Sequence, residues 1–126
     1  MDLAEFYEQV YDTIRLIPYG KVTSYGHIAA LIGMPRHSRH VGGALKMLDP
    51  ESDVPWQRVV SSTGAISSRG PGTTGARRQA EALEAEGLTV EETRAGQFRV
   101  NFRTYGWFPA TLADATRGDG DDETTN

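Results

Sequence analysis

The chain has 126 residues, 38% of them hydrophobic, which suits one compact domain with its own core and is too short for two ordinary ones. No apolar run reaches the roughly 18 residues that span a bilayer, and the N-terminal MDLAEFYEQVYD lacks the charged-then-apolar layout of a signal peptide, so a soluble, intracellular monomer is expected. There is no cysteine, which removes disulfides, thiolate metal sites and cysteine nucleophiles together.

The formal net charge of -4 argues against a nucleic-acid binder until its distribution is read. From Ala110 to Asn126 the chain carries Asp114, Asp119, Asp121, Asp122 and Glu123 against Arg117, so this segment holds the whole of the -4 and the body is neutral. No carboxylate side chain lies between Asp12 and Asp49, an interval containing Arg15, Lys21, Arg36, Arg39 and Lys46. A second acid-free interval, Val54 to Ala80, contains Arg58, Arg69, Arg77 and Arg78. Two positive stretches in a neutral body form a footprint suited to a phosphate backbone; ordinary solvated faces would look the same on charge alone.

In chain order, Asp2 and Glu5 form a capping box, and Leu3, Phe6, Val10 and Ile14 recur at helical spacing, predicting a helix from about Leu3 to Leu16. Pro18-Tyr19-Gly20 turns the chain. Ser24 caps a second, two-turn helix with Ile28, Leu31 and Ile32 inward and Gly33 at the left-handed position after its end. Ser38 is expected to cap a third helix, with Val41, Leu45 and Leu48 inward and Asp49-Pro50 as its stop. Two short helices joined by a Gly-containing turn suggest a helix-turn-helix with the third helix as reader. Gly42, Gly43 and Ala44 are expected on its outer side, where small residues permit close approach of a partner; tight packing of the helix on the core is the alternative. Arg58 to Ser61 and Ala65-Ile66 predict short strands around Ser62-Thr63-Gly64, followed by a loop at Gly70-Pro71-Gly72. A fourth helix is predicted from about Gly75 to Glu86, ending at Gly87. Phe98, Val100 and Phe102 alternate as in a hairpin, a small wing, with Tyr105, Trp107 and Phe108 closing the domain. The fold class is thus mainly α with minor β, winged-helix-like, with small β-hairpins: a domain over 1–109 and an acidic, disordered tail over 110–126.

Assembled in order, IPYGKVTSYGHIAALIG, SRHVGGALK, VPWQRVVSSTGAIS and EALEAEG resemble the C-terminal domain of the O6-alkylguanine-DNA alkyltransferases, from roughly Phe6 to Gly87. In that family the reactive motif is Pro-Cys-His-Arg-Val, and its cysteine takes the alkyl group from a guanine flipped out of the duplex. Here the cysteine position is Trp56, whose indole is no substitute for a thiolate. The activating histidine is replaced by Gln57, and an amide is no general base at neutral pH. Tryptophan at this place marks the alkyltransferase-like proteins, which bind alkylated DNA without repairing it; Gln57 departs from the histidine usual even among them.

The resemblance implies a role for several residues. Arg39 would enter the base stack in place of the flipped nucleotide and meet the orphaned cytosine. Tyr25 would press on the phosphate beside the target, although a half-buried packing role is the ordinary reading of such a tyrosine. Ser24, Gly42, Gly43 and Lys46 complete the expected DNA-binding set, and the small residues of the reader helix suit a minor groove. Pro55, Trp56, Val59, Ser67 and Arg69 are the expected lesion pocket, with Arg69 against the flipped purine or simply solvated. Arg58 is expected to hold the loop by hydrogen bonds, and Glu86 to be structural. His27, His37 and His40 match no strong zinc spacing. No catalytic residue, metal or cofactor is expected.

The reading that follows is a non-enzymatic sensor of O6-alkylguanine in duplex DNA that flips the base into a Trp56 pocket and, by the family resemblance, directs it to nucleotide excision repair. Such a protein would reside in the nucleus of a eukaryote, or otherwise in the cytoplasm with the nucleoid. The alternatives are a winged-helix regulator without lesion specificity and an enzyme using Ser61 or Ser62, which lack a partner base.

Overall fold

The computed structural model describes residues 2–49, 51–66 and 75–116. Helix α1 (Leu3–Ile14) begins where the Asp2 carboxylate accepts hydrogen bonds from the amides of Ala4 and Glu5 at 3.0 and 3.3 Å, neutralising amides that a helix start leaves unpaired. Phe6, Val10 and Ile14 are buried along one stripe, whereas Leu3 is 49% exposed. The helix stops two residues before Leu16 because the amides of Leu16 and Ile17 bond three residues back, to Thr13 and Ile14, tightening the last turn.

Strand β1 (Thr23–Ser24) leads into α2 (Tyr25–Leu31), whose first turn is capped by the Ser24 hydroxyl accepting from the His27 amide at 3.0 Å. Gly33 takes φ +89° after its end, as expected of a left-handed cap. Helix α3 (Ser38–Lys46) follows and packs on α2, with α1 against both. The expected cap at Ser38 is displaced: His37 is the N-cap and makes no side-chain capping bond, because the helix starts one residue earlier, at Ser38 itself.

The small residues of α3 also point the other way from expectation. Gly42 and Ala44 are buried and Gly43 is half-buried. A Cβ on Gly43 would stand 3.1 Å from Tyr7 Oη, and Tyr11 Oη donates to the Ala44 carbonyl at 2.7 Å. Gly43 and Ala44 therefore let α1 approach α3 closely, and the Tyr11 phenol holds the approach. Burial, followed by the neighbouring Tyr7 phenol, raises the Tyr11 pKa above the usual tyrosine value, which keeps its proton available for that bond.

A single 3-10 turn (Trp56–Arg58) precedes β2 (Val59–Val60), which pairs in parallel with β1, Thr23 opposite Val59 and Ser24 opposite Val60. Neighbouring residues of a strand face opposite sides. Val59 accordingly enters the core with Phe6, Val10, Ile28, Val41 and Leu45, while Val60 enters a second core with Val22, Ile66, Leu83 and Val100. Strand β3 (Ala65–Ile66) does not pair with β2, although Ser61 N donates to Ala65 O across the expected turn. It joins β5 (Phe98–Arg99) and β4 (Glu91–Glu92) in an antiparallel sheet of order β3-β5-β4, the wing, against which α4 (Gly75–Ala85) packs.

Phe102, expected at the end of the hairpin, instead opens α5 (Phe102–Tyr105), because the Asn101 side chain accepts from the Arg103 amide at 2.8 Å and starts a helix there. Val22 accepts from Trp107 N and donates to Tyr105 O, tying the chain end to the start of β1. His27 Nε2 lies 2.6 Å from the Pro109 carbonyl, and the Phe108 ring sits edge-on between His27 and Phe102. Of the segment expected to be disordered from Ala110, residues 112–116 form a helical turn beside α1; residues 117–126 lie outside the described residues.

Gly64 holds φ +86°, and a Cβ added there would run into the Val100 carbonyl oxygen, which itself sits where the Val100 amide donates to Gly64 O at 2.9 Å. Gly33 has a similar φ but open space around it. Gly64→Ala is expected to destabilise the fold by roughly 2 kcal/mol or more and Gly33→Ala by about 1 kcal/mol. Urea unfolding of the two variants measures the difference, and equal losses would mean that the wing does not depend on this approach.

Candidate nucleic-acid interface

The motif loop is held from three sides. Pro55 and Trp56 enter it through a tight bend, Trp56 N donating to Val54 O at 2.7 Å, and the 3-10 turn continues with Arg58 N donating to Pro55 O at 3.0 Å. Val54 and Val59, on either side, are buried at 2% and 0% exposure, anchoring the loop to the first core. Trp56 packs partly buried against that core, leaving the rest of its indole to solvent.

Glu86, just past α4, is the hub beneath the loop. Its carboxylate accepts from Gln57 Nε2 at 2.8 Å, from Arg58 Nε at 3.0 and 3.1 Å, and from the Gly20 amide at 2.7 Å. Arg58 Nη1 then donates to the Ile17 carbonyl at 2.8 Å, and the guanidinium lies 5.5 Å from the centre of the Tyr19 ring. The pair is sheltered, the Arg58 and Glu86 side chains being 15% and 6% exposed. Arg58 thus holds the loop as expected. From α4, Gln79 Nε2 donates to the Gln57 and Val59 carbonyls at 3.0 and 2.8 Å. Gln79 was not a candidate from the sequence; the available signal was a buried polar residue beside Ala80 and Leu83 on the inner stripe of α4.

The chemical content of this arrangement follows from the residue types. Gln57 offers Glu86 the hydrogen bond that a histidine at this place could offer, but an amide neither takes nor gives a proton near neutral pH. Trp56 contributes a flat apolar face. Positions 56 and 57 of the loop thus offer a flat apolar face and an amide, and neither a thiolate nor a general base.

Among the other candidates, Arg39 and Lys46 are exposed on the first and last turns of α3, with His40 exposed beside Arg39. The His37 and His40 rings lie 5.2 Å apart, tilted at 42° to each other, and stand 6.1 and 6.2 Å from the Phe6 ring. Tyr25 is 8% exposed and belongs to the first core, the packing role weighed for it from sequence. The Ser24 hydroxyl is engaged in capping α2, and Ser24 is 7% exposed. The structure therefore leaves the accessible cations of the reader on α3 and the partly exposed Trp56 on its own loop, while Gly42 and Ser24 sit inside. Ser67 and Arg69 lie outside the described residues.

Comparison with known proteins matches this arrangement. Residues 5–88 match the 6-O-methylguanine DNA methyltransferase, DNA binding domain. The chain is 47% identical over 109 residues to Alkyltransferase-like protein 1 of Schizosaccharomyces pombe, spanning 86% of this chain and 100% of that one. It is 42% identical over 102 residues to the DNA base-flipping protein of Escherichia coli, covering 81% of this chain and 74% of that one. The fold matches the crystal structure of the Schizosaccharomyces pombe protein in complex with damaged DNA containing O6-carboxymethylguanine with a TM-score of 0.81, at 47% identity over 86% of this chain and 100% of that one. It matches Mycobacterium tuberculosis O6-methylguanine methyltransferase with a TM-score of 0.56, at 36% identity over 65% of this chain and 48% of that one.

Removing one member of a sheltered ion pair strands the other, at a cost of about 3 kcal/mol or more. Glu86→Ala is expected to show that loss, and a double-mutant cycle with Arg58→Ala should give a coupling of about 1–3 kcal/mol in denaturant unfolding. A coupling indistinguishable from zero would mean that the pair does not hold the loop.

Proposed function

Because this chain belongs to the alkyltransferase-like family, built on the DNA-binding domain of the 6-O-methylguanine DNA methyltransferases, we propose that it is a non-enzymatic sensor of O6-alkylguanine in duplex DNA. The observation that carries the reading is the replacement of both reactive positions by Trp56 and Gln57 within an otherwise intact hydrogen-bonded loop. Its similarity to a relative crystallised on DNA containing O6-carboxymethylguanine supports the choice of lesion.

In this reading α3 lies in the minor groove, Lys46 meets phosphate, and Arg39 takes the space vacated by the flipped nucleotide. Flipping costs a few kcal/mol and least for a base that pairs badly, as a guanine alkylated at O6 does. Contact of the flipped base with the Trp56 face offsets about 1–3 kcal/mol of that cost. Tyr25 acts through the rim of its buried ring, and Ser24 and Gly42 act by shaping the backbone. Without a nucleophile the lesion stays bound until the protein dissociates or other repair proteins take over; handover to nucleotide excision repair, in the nucleus or nucleoid, completes the proposed role.

Matched duplexes carrying guanine or O6-methylguanine, compared at one salt concentration, provide the test, since phosphate contacts otherwise dominate the apparent affinity. The wild type should prefer the methylated duplex by about tenfold or more, Trp56→Ala should lose about 1–3 kcal/mol of that preference, and Arg39→Ala should weaken binding to both. No methyl group should leave the DNA. Equal affinity for the two duplexes sinks the sensor in favour of a regulator, and methyl loss restores an enzyme.

A further inference from the structure

The acidic side of α1 borders a groove that the DNA-binding reading leaves unused. One recess, of about 380 Å³, is lined by Gln9, Asp12, Thr13 and Leu16 of the α1 segment, by Ile32 after α2, and by Leu112 and Thr116 of the C-terminal helical turn. A second, of about 280 Å³, is lined by Asp2, Glu5, Phe6, Gln9 and Met34. They meet at Gln9. The combined groove follows α1 from Asp2 to Leu16, a length of roughly 20 Å at 1.5 Å per residue, and none of its lining residues belongs to α3 or to the Trp56 loop.

The apolar floor of this groove is made by Met34, Ile32, Leu16 and Leu112 over the buried Phe6, and its border is acidic. Asp2, Glu5 and Asp12 line it along α1, and the Arg15 guanidinium at its end is engaged with Asp12 at 3.0 Å and Asp53 at 3.2 Å. Charge decides among possible occupants. Nucleic acid would set phosphates against these carboxylates. The chain's own sequence beyond Thr116 carries Asp119, Asp121, Asp122 and Glu123 against Arg117, the same sign as the groove. A second copy presenting the same face would oppose acid to acid.

We infer that this groove is a docking surface for a cationic amphipathic helix of a partner protein, bound with its apolar side on the floor and its Lys or Arg flanks over the α1 carboxylates. A length of roughly 20 Å admits about three to four helical turns, so three or four apolar anchors at i, i+4, i+7 and i+11 can engage it, the helix-in-groove mode. The partner helix and a duplex on α3 use separate surfaces, so both can be held at once. This inference does not depend on lesion recognition.

The probe is a synthetic helical peptide of Leu anchors at that spacing with Lys elsewhere, beside a twin with Glu in place of every Lys. Both are titrated into the full chain with amide chemical shifts as the readout. The Lys peptide should saturate, with shift changes centred on Gln9, Thr13, Leu16, Ile32 and Leu112, and should bind about tenfold or more tightly than its acidic twin. Gln9→Arg, at the junction of the recesses, and Leu112→Ser, in the wall, alter exposed side chains and should each weaken the peptide about fivefold or more while leaving duplex affinity within about twofold. Absence of saturable binding, equal binding of the two peptides, shifts centred on α3, or peptide-independent dimerisation through the groove would each overturn the inference. Because duplex affinity is read separately, loss of lesion preference with intact peptide docking would overturn the sensor reading alone.

Discussion

The carboxylate of Glu86 is the constraint on which the arrangement of this protein depends. It gathers the Gly20 amide, the Gln57 amide and the Arg58 guanidinium at 2.7 to 3.1 Å, and Arg58 passes the connection on to the Ile17 carbonyl. The turn after α1, the motif loop and the end of α4 are remote in sequence and meet at one sheltered charge. A charge in such a place is tolerable only with its partners around it, so the three segments are fixed together or not at all. Gln79 repeats the device from the side of α4 with two bonds to loop carbonyls.

The same hub separates support from reactivity. Gln57 gives Glu86 a hydrogen bond of ordinary length and nothing that titrates near neutral pH. The loop is held from Glu86 and Gln79 with a tryptophan at position 56 and an amide at position 57, so its support requires no titrating group there. Shape and chemistry reside in different atoms of the same few residues.

The sequence disclosed those features that local rules govern. The Asp2 and Ser24 caps, the stripe of Phe6, Val10 and Ile14, and the left-handed glycine at 33 follow from capping and periodicity, and the structure contains each of them. Two-residue strands carry no period, so the parallel pairing of β1 with β2 was not legible. Asn101 was a capping signal read through as strand. The direction of the small residues of α3 was misjudged because a composition of Gly, Gly and Ala fits close approach to a partner and close approach to α1 equally well; Tyr7 and Tyr11 decide it. Of the candidate site, Trp56, Gln57 and Arg58 stood out by their order in the motif, whereas the convergence on Glu86 joins residues 28 and 29 positions apart and has no local signature.

Ser24 has two engagements: it pairs with Val60 across the β1–β2 ladder, and its hydroxyl closes the first turn of α2. Helix α2, on which the Arg39 helix packs, and the loop carrying Trp56 therefore share a backbone seam, and tilting α2 against the loop would open the ladder and uncap a helix in the same motion. In the proposed role, any deformation of the duplex carries a cost set by its own local softness. Base steps that bend and unstack easily would then favour engagement even where no side chain touches them, making the protein a gauge of DNA stiffness as well as of the chemistry at O6.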